Sequence, residues 1–593
     1  MCGIAGWFGK NLADDAEALT ASLRHRGPDG EGLWRDPGGS AVLVHTRLAV
    51  LDLSDAGAQP MGCASIAGES ARSWLVMNGE IYNFRELRNE LEAKGQEFKG
   101  HSDTEVVLRL LEREGRAALS RLAGMFALAW YDLDSGKGLL ARDPFGIKPL
   151  YYVQTPTGVR FSSEVRALRS TMDNPAISPA AVRDTLMWGS VPEPATFVEG
   201  IVELPAGSCL AWDGESAKVE QWQSITFGRM SAPADPVAAT RTALIESIDR
   251  HLVSDVPVGI FLSGGLDSTA VLALTRKVLG PSAEIRTFSI GFDDPQYDES
   301  SLARRTADLF SATHTEWRMS ADEGQAEVAG YMAAMDQPSI DGFNTWCVSK
   351  LASRNGMKVV LSGLGGDELF GGYSSFERLP QFQRLYSSLG PLRRATAAAL
   401  ERAPAGSRLK RVAQFLRGPG TPLAAFNLQR GIFTEQEAIQ LTRSITGIDP
   451  GPPSWDVQGL PRDAGDRVSF LELTRYMRNQ LLGDSDVFSM AHGLELRVPF
   501  VDARLFDSVA SIPSSIRLAK GKQLLIDAVP EIPEWVREQP KRGFRFPFQE
   551  WMSGAFGAAL ELADSETTVP LATWYRRWAL AVVLQQREAC IRA

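Results

Sequence analysis

The sequence is short of the residues that usually bind metals or form disulfides. It has 5 cysteines and 6 histidines in 593 residues. The cysteines, Cys2, Cys63, Cys209, Cys347 and Cys590, are odd in number and far apart. No Cys-x-x-Cys pair occurs. That excludes a structural zinc site by pattern and fits a reducing compartment. The histidines show no paired ligand spacing. No apolar run approaches the roughly 18 residues of a membrane-spanning helix. The start has no basic segment followed by an apolar core, so no signal peptide is expected. Positive charge is not in excess either. The net charge is -10, which argues against a nucleic-acid or anionic-membrane partner. Short basic pieces, such as Arg393-Arg394 and Arg576-Arg577, read as solvated helix faces. A soluble cytoplasmic protein that handles small molecules is expected. At 593 residues the chain is too long for one core, so two or more domains are expected.

One stretch organises the rest. The apolar run Pro257 to Leu262 leads into Ser263-Gly264-Gly265-Leu266-Asp267-Ser268, and a helical pattern follows from Thr269. Strand, glycine-rich loop and helix together make an anion site, because backbone N–H groups and the helix N-terminus converge there. Asp267 beside a phosphate makes sense if Mg²⁺ lies between them. No Gly-Lys-Ser/Thr closes the loop, so it is not a Walker A motif. Further on, Lys358 to Leu361 runs into Ser362-Gly363-Leu364-Gly365-Gly366-Asp367-Glu368. Strands alternating with helices argue for a parallel, doubly wound sheet, whose sites lie beyond the strand carboxyl ends. That rule puts Asp267 and Asp367 along one edge. Residues 375–470 carry helical spacing and are expected to pack on this sheet.

The first part of the chain reads differently. Cys2 directly follows Met1. Removal of Met1 would leave a free α-amine, of pKa about 7.7–8.0, able to act as base for the adjacent thiol. Arg26-Gly27-Pro28-Asp29-Gly30 is a tight turn. Leu43 to Leu53 alternates as a half-buried strand containing Arg47. Trp74 to Met77 is a strand ending at Asn78-Gly79-Glu80, and Asp103 lies where a helix opens. Phe227 to Pro236 is polar and proline-bearing, and Pro236 to His251 reads as an amphipathic helix.

The Cys2, Arg26–Gly30, Arg47, Asn78–Gly79–Glu80 and Asp103 motifs resemble the class II glutamine amidotransferase domain. The Ser263–Ser268 loop resembles the PP-loop of ATP pyrophosphatases. With the second glycine loop and the C-terminal segments Met490–Asp502, Gly521-Lys522 and Pro540-Lys541, the whole chain resembles the glutamine-hydrolysing asparagine synthetase family. The resemblance implies an α/β fold. An N-terminal αββα Ntn-hydrolase sandwich (residues 1–212) is followed by a linker (213–235). A PP-loop synthetase domain with added helices (236–593) completes the chain.

The resemblance also implies roles. Cys2 attacks glutamine, and Asn78 and Gly79 form the oxyanion hole. Arg47, Asn78, Glu80 and Asp103 hold the substrate. Leu262, Ile290, Ser362 and Gly363 line adenine and ribose. Ser263, Gly264, Gly265 and Ser268 meet the phosphates. Asp267 and Asp367 hold Mg²⁺, and Lys522 and Lys541 contact phosphate, Lys541 being counted as catalytic. ATP and Mg²⁺ are the expected cofactors, and a homodimer is compatible. The sequence departs from the family at Leu364, where an acidic residue stands in asparagine synthetases. Either Glu368 or Asp341 substitutes, or the acceptor differs from free aspartate. A glutaminase with an inactive second half and a glutamine- or ATP-sensing module are the remaining readings.

Overall fold

A computed structural model describes residues 2–10, 15–63, 71–294, 296–403, 408–539, 547, 569–571 and 573–592. The first half is built on two antiparallel six-stranded sheets. The first sheet runs Val202–Glu203, Tyr151–Thr155, Gly158–Ser162, Gly3–Gly9, Ala41–Arg47, Gly30–Arg35. The second runs Ala217–Gln221, Ser208–Trp212, Lys137–Arg142, Gly124–Asp132, Ser73–Ile81, Met61–Cys63.

Ile4, Phe8, Leu43, Val76, Ala127, Leu140 and Phe161 are fully buried between the sheets. The rings of Phe8 and Phe161 pack at a tilt of 41° with centroids 5.3 Å apart. Each such side chain contributes about 1.5–3 kcal/mol on burial. Outside the first sheet, the helix Ala16–Leu23 packs Leu19 and Leu23 against Trp7 and Val44. Outside the second, the helices Phe84–Ala93 and Asp103–Glu114 pack Leu87, Val107 and Leu111 against Leu75 and Leu128. The layers are therefore helix, sheet, sheet, helix. Central strands are covered on both faces, so Gly124–Asp132 reads as a nearly continuous apolar run. The edge strand Gly30–Arg35 alternates.

Two expectations need correction. The strand expected over Leu43–Leu53 stops at Arg47. There the chain turns through Asp52, whose φ is 51°, and Arg47 donates to the carbonyls of Asp52 and Ser54. The expected linker 213–235 also begins too early. Ala217–Gln221 pairs with Ser208–Trp212 and finishes the second sheet.

The second half is built on a five-stranded parallel sheet. Its order is Thr313–Met319, Arg286–Phe292, Val258–Phe261, Val359–Leu361, Glu495–Arg497. All pairs are parallel. The first strand in the chain, Val258–Phe261, lies in the middle, and later strands add first on one side and then on the other. The order reverses between Val258–Phe261 and Val359–Leu361, and that crevice is where such sheets bind ligands. The helix Pro236–His251 forms as its period suggests, capped by Asp235 with Pro236 at its first turn.

The helices between 375 and 471 do not simply cover this sheet. Leu379, Phe415, Leu416, Phe426 and Leu471 form a core of their own. It joins the sheet through a π-helical stretch, Glu472–Leu482. The two halves share another core. Val182, Leu186 and Met187 of the helix Pro179–Trp188 pack with Phe343, Trp346, Phe433 and Trp578.

Candidate active sites

Cys2 lies at the head of the strand Gly3–Gly9. Its backbone N–H donates to Asn78 Oδ1 at 3.0 Å, and its Sγ is 4.0 Å from the Leu48 carbonyl. The strand is held by Thr46 Oγ1, which accepts from Gly3 N–H at 3.1 Å. Asn78 Nδ2 is buried and has no hydrogen-bond partner among the described residues. A buried donor without a partner costs about 1–3 kcal/mol, so this amide is set for an acceptor that comes from outside. Gly79 has φ 141°, and a Cβ there would stand 2.0 Å from the Met125 carbonyl oxygen. Only glycine lets the chain pass so close to the neighbouring strand. Burial pushes the Cys2 thiol above its ordinary pKa.

Asp103 opens the helix Asp103–Glu114, which Ser102 caps. Its Oδ2 accepts from Ile81 N–H at 2.8 Å. Burial raises the Asp103 carboxyl to about 6, although the Ile81 and Thr104 N–H groups oppose this. Burial and the nearby Glu495 also raise the Glu80 carboxyl above its usual range. The structure brings Cys2, Asn78, Gly79, Glu80 and Asp103 to one end of the second sheet. Arg47 sits on the rung beyond Thr46, and two of its N–H groups are committed to the 52–54 turn.

Arg26, Asp486, Glu495 and Arg497, to which sequence reasoning gave no individual site role, tie this site to the other half. Arg26 is fully buried. It donates to the Cys2 carbonyl at 3.2 Å, to Glu164 at 3.1 Å and to Asp486 at 2.6 Å. Arg497 bonds Glu495 at 2.5 Å and lies 3.5 Å from Glu80. Burial works against charge on Glu495, but the N-terminal ammonium, Arg497 and Lys148 hold it down at about 2. The signal was present in Leu494-Glu495-Leu496-Arg497-Val498, where two charges alternate inside an apolar frame. A strand of that pattern buries both charges only if they pair.

The two glycine loops meet at the switch point of the parallel sheet. In the first loop Ser263 Oγ and Ser268 Oγ are 3.0 Å apart, and Ser268 Oγ donates to the Ser263 carbonyl at 3.0 Å. A Cβ on Gly363 would lie 2.8 Å from Ser268 N, and one on Gly366 would lie 2.5 Å from Asp267 Oδ1. The loops interlock, which is why the second one is glycine-rich. Gly264 in turn packs on Leu302.

Lys522 comes from the C-terminal segment. Its Nζ donates to Asp267 Oδ1 and Oδ2 at 2.7 and 2.6 Å and also pairs with Asp367. Burial disfavours the ammonium, but Asp267 and Asp367 raise its pKa above the ordinary value. Ser362 and Gly363 are half-buried beside these groups. Leu262 and Ile290 are buried in apolar clusters. Lys541 lies outside the described residues.

Leu364 is half-buried and packs on the core of the parallel sheet. Close by, Glu368 accepts from Tyr373 Oη at 2.8 Å, and burial, aided by Asp367, raises its carboxyl to about 7. Burial raises the Asp341 carboxyl as well. Among the described residues no cluster of three or more His, Cys, Asp or Glu could hold a metal by itself. No helix there is long and apolar enough to cross a membrane.

Comparison with known proteins agrees with this two-part arrangement. The family model described as a glutamine amidotransferase domain matches residues 1–223, and that described as asparagine synthase matches 239–590. The chain is 33% identical to asparagine synthetase [glutamine-hydrolyzing] 1 of Bacillus subtilis, over 93% of this chain and 88% of that one. It is 32% identical to a putative asparagine synthetase [glutamine-hydrolyzing] of Mycobacterium tuberculosis, over 95% and 90%. It is 25% identical to amidase chry2 of Gibberella zeae, over 93% and 90%. The chain belongs to the glutamine-hydrolysing asparagine synthetase family and is a glutamine-dependent, ATP-using amidotransferase.

Proposed function

We propose that Cys2 releases ammonia from glutamine and that the parallel-sheet half uses it to amidate a carboxylic acid, aspartate or a relative of it. Freed of Met1, the Cys2 α-amine takes the thiol proton. Sulfur attacks the side-chain carbonyl carbon, and the charge that develops on oxygen is met by Asn78 Nδ2 and the Gly79 N–H. The C–N bond breaks, ammonia leaves with the proton, and water hydrolyses the thioester. Asp103 and Glu80 suit the substrate ammonium, and the remaining N–H groups of Arg47 suit its carboxylate. Asn78 carries this reading: one end of its amide holds the nucleophile's nitrogen and the other is buried without a partner.

In the second half an acceptor carboxylate oxygen attacks the α-phosphorus of ATP, and pyrophosphate leaves. Ammonia then attacks the acyl carbon, AMP leaves, and the nitrogen gives up a proton. Glu368, held by Tyr373 beside the second loop, offers a carboxylate for that proton. The glycine loops present N–H and hydroxyl donors to the phosphates. Asp267 and Asp367 fit Mg²⁺, since they are hard oxygen donors that already share one cation, the Lys522 ammonium. Bound there, Mg²⁺ would neutralise phosphate charge. We place the enzyme in the cytoplasm, which its five free cysteines support.

The test is Cys2→Ala. Amide formation from glutamine should stop, and amide formation from ammonium salt should persist. Loss of both, or glutamate release that survives, would reject the assignment. Chelation should stop pyrophosphate release, and Mg²⁺ should restore it.

A further inference from the structure

Beside the second glycine loop lies a cavity of about 830 Å³. Tyr373, Ser374 and Ser375, which continue the chain from that loop, form one side of it. Tyr373 also bonds Glu368, so the cavity and the loop share a wall. The π-helical stretch supplies Arg475, Tyr476 and Gln480 to another side. π-helical turns recur at functional sites because they splay side chains that an α-helix would stack.

Three features say what the cavity takes. The first is size, since pockets of about 300–1,000 Å³ hold ligands well beyond a single small amino acid. The second is charge. Lys410, Arg411, Arg430, Arg475 and Arg576 line it against Asp341 and Glu437. Arg430 is answered by Glu472, and Arg576 by Glu437. Arg475 is half-buried and lies 5.9 Å from the Trp188 ring; its guanidinium makes neither hydrogen bond nor ion pair among the described residues, and Glu193 and Asp184 act on it only from farther off. A partly desolvated guanidinium without a hydrogen-bonded partner is costly, and an anionic ligand would relieve that cost. Third, the walls mix aromatic faces with amides. Tyr373, Tyr476 and Trp188 stand beside Asn344, Asn427 and Gln480. Asn427 Oδ1 is buried without a donor. A hydroxylated ring satisfies both, with its apolar face on the aromatics and its hydroxyls on the amides.

On the second loop itself, Leu364, which packs on the core of the parallel sheet, cannot bind an ammonium or accept a proton. Free aspartate therefore lacks a family contact here, while a larger acceptor gains the cavity. We propose that this cavity holds the body of the acceptor: a carboxylic acid built on a hydroxylated ring that bears a second anionic group. Its carboxylate lies toward the glycine loops and its second charge toward Arg475. This rests on the amidotransferase reading above.

The experiment measures pyrophosphate release with MgATP and ammonium salt. It compares aspartate, glucuronate, glucuronate 1-phosphate and a panel of other ring acids with and without phosphate. At least one phosphorylated ring acid should exceed aspartate tenfold or more in kcat/KM. Arg475→Ala should raise the KM for that acid about tenfold or more and leave glutamine hydrolysis unchanged. Arg475→Lys should recover part of the loss. If aspartate is the best acceptor and Arg475→Ala leaves its KM in place, the proposal fails while the amidotransferase reading stands. If glutamine is hydrolysed but no acid releases pyrophosphate, both fail.

Discussion

The proposed reading gives Asn78 two jobs, and one pair of substitutions separates them. Its Oδ1 accepts from Cys2 N–H at 3.0 Å, while its Nδ2 has no partner among the described residues. In Asn78→Ala both functions go. Loss of one oxyanion donor costs about 100- to 1,000-fold in kcat, or about 2.7–4 kcal/mol. Stability should hardly move. The lost bond to Cys2 is worth about 0.5–1.5 kcal/mol, but an orphaned buried donor of similar or greater cost goes with it. Asn78→Asp keeps the shape and the acceptor for Cys2 and loses only the donor. It also adds a carboxylate near Glu80, whose own carboxyl is already raised by burial and Glu495. Asn78→Asp should therefore be at least as inactive as Asn78→Ala. The assay is glutamate release from glutamine, with ammonium-supported pyrophosphate release as the internal control. If Asn78→Asp keeps more than a tenth of wild-type glutaminase activity, Asn78 only positions Cys2 and the oxyanion assignment is wrong.

Three other outcomes are expected. Asp103 is held at about 6, so the KM for glutamine should rise as pH falls through 6, at most tenfold per unit, and Asp103→Asn should flatten the profile. Lys522→Met leaves Asp267 and Asp367 facing each other. Pyrophosphate release should fall by about 100-fold or more with glutaminase intact, and near-normal release would refute the role given to Lys522. Arg497→Met removes one of the cations that hold Glu495 in the core and should cost up to about 3–5 kcal/mol in urea unfolding, with Glu495→Gln added to it recovering part. Glu495 is held at about 2 against an ordinary 4.5. Its contribution is present above pH 4.5 and lost as pH falls toward 2, so the variant's deficit should shrink in acid.

Much of this architecture is legible in the chain because local signals and tertiary demand agree. The strand-loop-helix at Val258–Leu279 forms where the apolar run, the glycines and the helical pattern place it. The opening of Asp103–Glu114 is marked by Ser102 as cap. Arg47 is harder to read, because alternation continues past the end of its strand and only the left-handed Asp52 turns the chain. The strand Ala217–Gln221 has few apolar residues. As a sheet edge it needs none, so no pattern announced it. The partnerships of Arg26 with Asp486, and of Arg497 with Glu80, span more than 400 residues, and spacing cannot report them. The separate core of the inserted helices was missed for a related reason. Their apolar stripes say that each helix packs, but not on what.

The reach of Arg26 has a consequence for how the protein is made. A chain leaving the ribosome exposes Cys2 more than 450 residues ahead of Asp486 and Arg497. At about 5–20 residues per second, roughly half a minute to a minute and a half separates them. Through that interval Arg26 lacks one of its three anchors and Glu80 lacks its cation. On the proposed reading, Cys2 gains its full electrostatic setting only when the second half has been synthesised and docked. Unfinished chains are then expected to hydrolyse little glutamine, so that synthesis itself would set the order in which the two proposed activities appear.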